Sequence, residues 1–222
     1  MNYDQYAEQV RKLLDKHVVG VEVKDPGGVY EVGKMGQQKP EQWSEEKTRN
    51  ETDIIKTRVS KMIEQELRDD PYAQEAFSKL LRQAIEEAAK LFDHPLKQYL
   101  LFHEFEQQVQ ARKLDDLPDV FAGNRHAQAY FGIFKKSLPE ALGSADEQAQ
   151  EHWVKLAFSL DEMVTTSVAE HSINPQNIES DIRKKLLPLL FKECKAVGAG
   201  MDQAKAMVEW VVQVTRVGLS GL

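Results

Sequence analysis

The sequence predicts a mainly α-helical protein, a multi-helix bundle with one small β-hairpin near its N-terminus. Three observations predict it. From residue 44 onward, apolar residues recur three and four positions apart along most of the chain, the spacing that lines one face of a helix. Strict apolar–polar alternation occurs in one place, VEVKDPGGVYEV, around a Pro-Gly turn. A capping residue followed by proline occurs at Asp70-Pro71 and again at Asn174-Pro175, the pairing that opens helices. The organisation expected is an N-terminal helix, hairpin and loop over residues 1–43, then a helical bundle over 44–222, one domain in all.

The elements follow in order. YDQYAEQVRKLLDKHV places Tyr6, Val10, Leu13, Leu14 and His17 at helical spacing, mostly on one face. Val21, Val23, Val29 and Val32 alternate as hairpin strands, and GKMGQQKPEQW reads as a polar loop. Ser44 can cap a long helix through EEKTRNETDIIKTRVSKMIEQELRD, with Ile55, Val59, Met62, Ile63 and Leu67 as its buried stripe. Asp70 caps the next, which is expected to bury Phe77, Leu80, Leu81, Ala84, Ala88 and Leu91. Asp93-His94-Pro95 opens a further helix, with the His94 side chain as a candidate cap, and Leu117-Pro118 closes that unit. Asn124 can cap RHAQAYFGIFKKSL. Ser144 to Glu147 fits a capping box, with the Ser144 hydroxyl bonding forward and Glu147 reaching back, ahead of a helix to about Glu170. Asn174 starts a helix in which Pro188 should produce a kink or a new start. Asp202 caps the last helix, with the stripe Ala204, Met207, Val208, Val211 and Thr215. The sequence contains no internal repeat, low-complexity tract or long linker.

The chain has 222 residues with 41% hydrophobic and 29% charged content, enough to bury a core. Its 29 Lys+Arg against 36 Asp+Glu leave a formal charge of −7, the opposite sign to a free-standing nucleic-acid binder. Its single cysteine, Cys194, excludes an intramolecular disulfide and suits a reducing compartment. No apolar run approaches the ~18–20 residues that span a bilayer, and the N-terminus lacks a signal-peptide core. A cytoplasmic protein without a membrane partner is expected.

The search for chemistry finds no phosphate-binding GxxxxGK loop, no GxGxxG after a strand and no GxSxG elbow. The six histidines form neither HExxH nor a zinc spacing with Cys194, so structural roles are expected for them. Cys194 reads as a small buried filler. Glu22-Val23-Lys24 has the acid-x-Lys spacing of metal-dependent nucleases, but the further carboxylate that such a site needs is missing, because Asp4, Glu8 and Asp15 lie on a predicted helix. A hairpin charge pair is the plainer reading. No catalytic, cofactor or metal residue is assigned.

What remains is basic surface. Arg183, Lys184 and Lys185 stand together on the helix after Asn174, with Ile178, Ile182 and Leu186 as its buried stripe. Glu179 and Asp181 are interleaved with them, which favours a solvated helix face and leaves a phosphate or partner contact open. Arg49, Lys56 and Arg58 form a second set of candidate DNA or partner contacts.

The segments QYAEQVRKLLDKHVVG, KTRNETDIIKTRVSKMIEQEL, DDPYAQEAFSKLLRQAI, LFDHPLKQYLLFHEFE, GNRHAQAYFGIFKK, AEHSINPQNIESDIRKKLLPLLFK and the final VTRVGLSGL together resemble the C-terminal helical region of the restriction (R) subunit of type I restriction–modification enzymes. That family places an endonuclease domain and two ATP-using, helicase-like motor domains before this region. The resemblance implies that the catalytic positions, with their ATP and Mg²⁺, belong to the parent subunit, and that this stretch needs no cofactor. It implies partners: the methyltransferase and specificity subunits of the complex and the motor domains of the parent chain. Duplex DNA is the alternative partner.

Overall fold

The computed structural model describes residues 39–171 and 174–220. The hairpin expected over Val21 to Val32, the helix before it and the Glu22/Lys24 pair lie outside the described residues. Within them the chain forms eight α-helices: α1 Glu45–Lys61, α2 Pro71–Lys90, α3 Pro95–Gln110, α4 Arg125–Ser137, α5 Pro139–Gly143, α6 Glu147–Glu170, α7 Pro175–Ala196 and α8 Met201–Ser220. One-turn 3₁₀ segments precede α1 and α4, at Pro40–Gln42 and Asp119–Phe121. No strand occurs among the described residues, so the protein is mainly α.

The starts of the helices are chemically marked. Ser44 accepts from Lys47 N at 3.2 Å, Asp70 from Ala73 N at 3.0 Å and Asn124 from Ala127 N at 2.9 Å. Asn174 accepts from Gln176 N at 3.1 Å. Each satisfies one amide that the first helical turn leaves without a partner.

Several expectations are corrected. The cap of α6 is Asp146, which accepts from Ala149 N at 2.8 Å. Pro139 starts the extra turn α5, and the Ser144 hydroxyl donates to Glu140 O at 2.7 Å to close it, so it is not available to α6. His94 makes no side-chain cap bond. Asp202 lies inside the first turn of α8, and the capping contact comes from Gln203, whose Oε1 accepts from Gly200 N at 3.1 Å. Gly198, at φ +77°, reverses the chain after α7 and brings Ala199 N to Cys194 O at 2.8 Å, which sets this early start. Pro188 neither ends nor restarts α7, which runs unbroken from Pro175 to Ala196 because its apolar face is held by packing on both sides of the proline.

The helix after Ser44 is not uniformly α. Beyond Lys61 it widens into a π turn, Met62–Glu66. Side chains collect the carbonyls there: Gln74 Nε2 donates to Ile63 O at 3.0 Å, Arg68 Nε to Glu64 O at 3.1 Å and Arg112 Nη2 to Glu66 O at 2.9 Å.

Two apolar clusters make the core. In the first, the α1 stripe Ile55, Val59, Met62, Ile63 and Leu67 packs on Phe77 of α2 and on Tyr99, Phe102, Phe105 and Val109 of α3. The whole expected stripe of α1 is buried. That of α2 is buried only in part: Leu80 is 38% exposed and Leu81 and Leu91 are half-buried, because the second half of α2 sets only the small Ala84 and Ala88 into the core. The second cluster joins α4, α6, α7 and α8 through Tyr130, Phe134, Trp153, Leu160, Leu190 and Met207. Ile178, Ile182 and Leu186 enter it as periodicity predicts, as do Cys194 and the α8 stripe.

Helix α4 links the clusters. Every residue from Ala127 to Phe134 is buried, since α4 packs on α2 as well as on α6 and α8. Polar bonds cross the same seam. The Tyr72 hydroxyl donates to the Asp116 carboxylate, Lys135 Nζ donates to Asp116 O at 2.7 Å, and Gln128 Nε2 donates to Arg112 O at 3.1 Å.

Candidate partner-contact surface

The six basic candidates are scattered in fate as well as in place. Arg49 donates to Glu45 at 2.7 Å and to Phe92 O at 3.0 Å, with its guanidinium over the Phe92 ring. Lys56 pairs with Asp53 at 3.1 Å and lies over Phe102. Arg58 grips the buried Glu106 with a two-pronged bond, Nε to one oxygen and Nη2 to the other at 2.9 Å. These three charges are therefore turned onto their own helical unit.

On α7 the pattern repeats. Arg183, on the face that the sequence reads as solvated, is half-buried between Glu209 of α8, at 2.7 and 3.0 Å, and Glu179, at 3.2 Å. Arg216 reaches the same Glu179 at 2.7 Å. The interleaved acids thus do more than dilute the local charge: Glu179 ties α7 to α8 through Arg216, and Asp181 ties α7 to α6 through Ser167. Lys185 bonds Asp181 at 2.6 Å, Glu170 at 3.1 Å and Ser167 Oγ at 3.2 Å. Lys184 is exposed and, among the described residues, has no ion-pair partner.

The geometry also assembles a group that spacing along the chain does not reveal. Glu170 and His171 at the end of α6 meet Asp181 of α7, with their ligand-type atoms within 4.8 Å of one another. The Lys185 ammonium is already bonded to both carboxylates, so the cluster carries its own cation and reads as an ion-pair network. Of the other described histidines, His103 stacks on Tyr99, His126 lies 3.5 Å from Asp161 and His152 bonds the buried Glu193 at 2.8 Å. Cys194 is fully buried, and burial pushes its thiol pKa up, which keeps it an unreactive filler.

These networks set an acid response. Lys136 and then Lys79 pull the Glu75 carboxyl down to about 2. Arg216 lowers Glu179, Lys185 lowers Asp181 and Arg183 lowers Glu209. Each of these groups takes up a proton less readily folded than unfolded. Their stabilisation is therefore complete above the ordinary carboxyl range, about pH 4, and is lost as pH falls through the depressed values. Asp70 has the opposite sign, since burial raises its pKa. Four groups outweigh one, so the thermal midpoint should fall steadily from about pH 4 toward pH 2, as followed by circular dichroism. A flat or rising midpoint would contradict the assignment. The exposed pairs contribute about 0–1 kcal/mol each, so the decline should be gradual.

The surface feature with the character of a contact site lies where the two clusters meet. A groove of about 540 Å³ runs between α2 and α8, lined by Ile63, Glu64, Arg68, Pro71, Gln74, Glu75, Ser78, Arg82, Lys136, Trp210, Gln213 and Val217. Trp210 is half-buried, with the Lys136 ammonium 5.1 Å from its ring centre. Lys136 is itself held by Glu75 at 2.8 Å. Arg68 and Arg82 are exposed, and neither has an acidic partner among the described residues. An aromatic residue sharing a groove with arginines that have no acidic partner is the composition of a protein-contact centre. Sequence reasoning missed it, because its residues come from the π turn, α2, α4 and α8 and share no local signature. No protein-family model, curated protein or solved structure matches this chain. Among the described residues, no helix is long and apolar enough to cross a membrane.

Proposed function

We propose that this chain is a non-catalytic helical docking module. It acts as the C-terminal module of a type I restriction enzyme R subunit, and joins the ATP-dependent motor and nuclease to the methyltransferase–specificity core during DNA restriction. The observation that carries the docking half of this reading is the α2–α8 groove, with Trp210, Arg68 and Arg82 in its lining. The resemblance of the ordered sequence segments supplies the identity of the partners. Docking is favoured over direct DNA contact because five of the six basic candidates are held by acids of the same chain, leaving Lys184 exposed. A phosphate-binding face needs its cations free to displace counterions.

The test is capture of the methyltransferase–specificity complex of its own operon by the isolated chain. Binding should tolerate salt, and Trp210→Ala with Arg82→Glu should weaken it at least tenfold while the helical circular dichroism spectrum is kept, as for a central aromatic anchor. Steeply salt-dependent binding to nonspecific duplex, with no capture of the complex, would support the DNA-contact alternative instead. On the docking reading the chain alone neither hydrolyses ATP nor nicks DNA. Mg²⁺-dependent nicking that disappeared on Glu22→Ala would overturn that part.

A further inference from the structure

Two helical stripes wall the α2–α8 groove. Helix α2 contributes Gln74, Ser78 and Arg82, spaced four residues apart, and α8 contributes Trp210, Gln213 and Val217, spaced three and four apart. Residues at such spacing share one face of a helix, so each wall runs along its helix for about two turns. A trough between two helix faces is the shape that receives a third helix, through anchors of the same period. Its volume, about 540 Å³, holds a few side chains and not a whole domain.

The polar groups of the lining are unevenly committed. Gln74 Nε2 donates to Ile63 O at 3.0 Å and Ser78 Oγ donates to Gln74 O at 2.7 Å, so both serve their own unit. Glu75 is held by Lys136 and by Lys79, each at 2.8 Å. Two guanidinium groups are left over. The Arg82 side chain makes no hydrogen bond or ion pair among the described residues, and Arg68 uses only Nε, on Glu64 O at 3.1 Å. Both residues are exposed, so their remaining donors are open to a ligand. Against these two cations stands one carboxylate of the lining without an ion-pair partner among the described residues, that of Glu64. A chain of net charge −7 thus carries a groove whose uncommitted charge is positive.

We propose that this groove receives an acidic amphipathic helix of the partner protein, with its carboxylates on Arg68 and Arg82 and an apolar residue over Trp210. The assignment rests on the docking function above and adds the chemistry of the occupant. Charge complementarity selects acids, and the planar guanidinium matches a carboxylate in two parallel bonds. A nucleic acid suits the groove less well. Its phosphates recur along the whole strand and would meet Glu64, and the Lys136 ammonium already lies over the Trp210 ring on which a base would stack.

The experiment is capture of the methyltransferase–specificity complex by the whole chain, in competition with overlapping synthetic peptides that cover both partner subunits. The peptides that compete should be acidic and helix-forming. Arg68→Glu and Arg82→Glu should each weaken capture at least fivefold with the helical circular dichroism spectrum kept, as expected for reversing a charge at a complementary contact. Arg82→Lys, which keeps the charge, should lose less than Arg82→Glu. Capture that Trp210→Ala abolishes but both charge reversals leave unchanged would overturn the acidic occupant and spare the docking function. Competing peptides without net negative charge would overturn it as well. So would nonspecific duplex that blocks capture by the parent chain and binds the Arg82→Glu variant less tightly, which would put nucleic acid in the groove. Failure of the parent chain to capture the complex at all would instead overturn the docking function, and the occupant with it.

Discussion

Replacing Phe134 by alanine should lower the stability of the fold by about 3–5 kcal/mol, read as a shift in the urea midpoint at unchanged slope. Phe134 is completely buried, and its ring meets Trp153 at a centroid distance of 5.2 Å. It sits in α4, the helix that packs on α6 and α8 of the second cluster and on α2 of the first. The loss combines the transfer of the ring to water with a cavity that cannot collapse, since the surrounding walls belong to different helices. Phe92 provides the contrast. It is a phenylalanine too, but it is 65% exposed at the end of α2, and its truncation should cost a small fraction of that. Equal losses at the two positions would contradict the placement of the core.

The same pair of residues shows what the sequence could and could not reveal. Helices buried on one side print a readable stripe, and α1, α7 and α8 bury the residues their periodicity singles out. Helix α4 is buried from Ala127 through Phe134, so it has no polar face against which a stripe could be seen. Its length and its Asn124 cap were legible, but its central place was not. In α2 the error runs the other way: the stripe is continuous in the sequence, but Leu80 is left exposed and Leu81 and Leu91 only half-buried, because the core takes just the small Ala84 and Ala88 from that half. The caps divide similarly. Ser44, Asp70, Asn124 and Asn174 were legible because each precedes its helix directly. Ser144 and Asp202 misled because the turns beside them, α5 and the Gly198 reversal, are decided by chain geometry. For function, the basic runs were visible, but whether each charge was free depended on acids far away in sequence, such as Glu209 for Arg183 and Glu106 for Arg58. The groove around Trp210 exists only once α2, α4, α8 and the π turn are assembled.

Gly132→Ala should be destabilising by about 1–3 kcal/mol, the range for forcing atoms into a filled interior. The direction is the informative part. Gly132 lies within α4, where alanine normally gains ~1 kcal/mol over glycine through helix propensity alone. Here a β-carbon would stand 2.6 Å from Tyr72 Cβ, closer than real carbon atoms approach, and 3.0 Å from its Cγ. Tyr72 cannot swing aside to make room. Its β-carbon is fixed to the first turn of α2, which Asp70 caps, and its hydroxyl is held by Asp116. The whole of α2 would have to retreat from α4, straining the Lys136–Glu75 and Lys135–Asp116 bonds that cross the same seam. The two apolar clusters would then be less firmly coupled. Calorimetry should show a lower midpoint for Gly132→Ala and a broader transition, with the van't Hoff enthalpy falling below the calorimetric one as the clusters begin to unfold separately. A larger side chain at the same position, as in Gly132→Val, should deepen both effects. An alanine variant as stable as the parent, or more so, would mean that helix propensity prevails and that α2 and α4 are not in the close contact described.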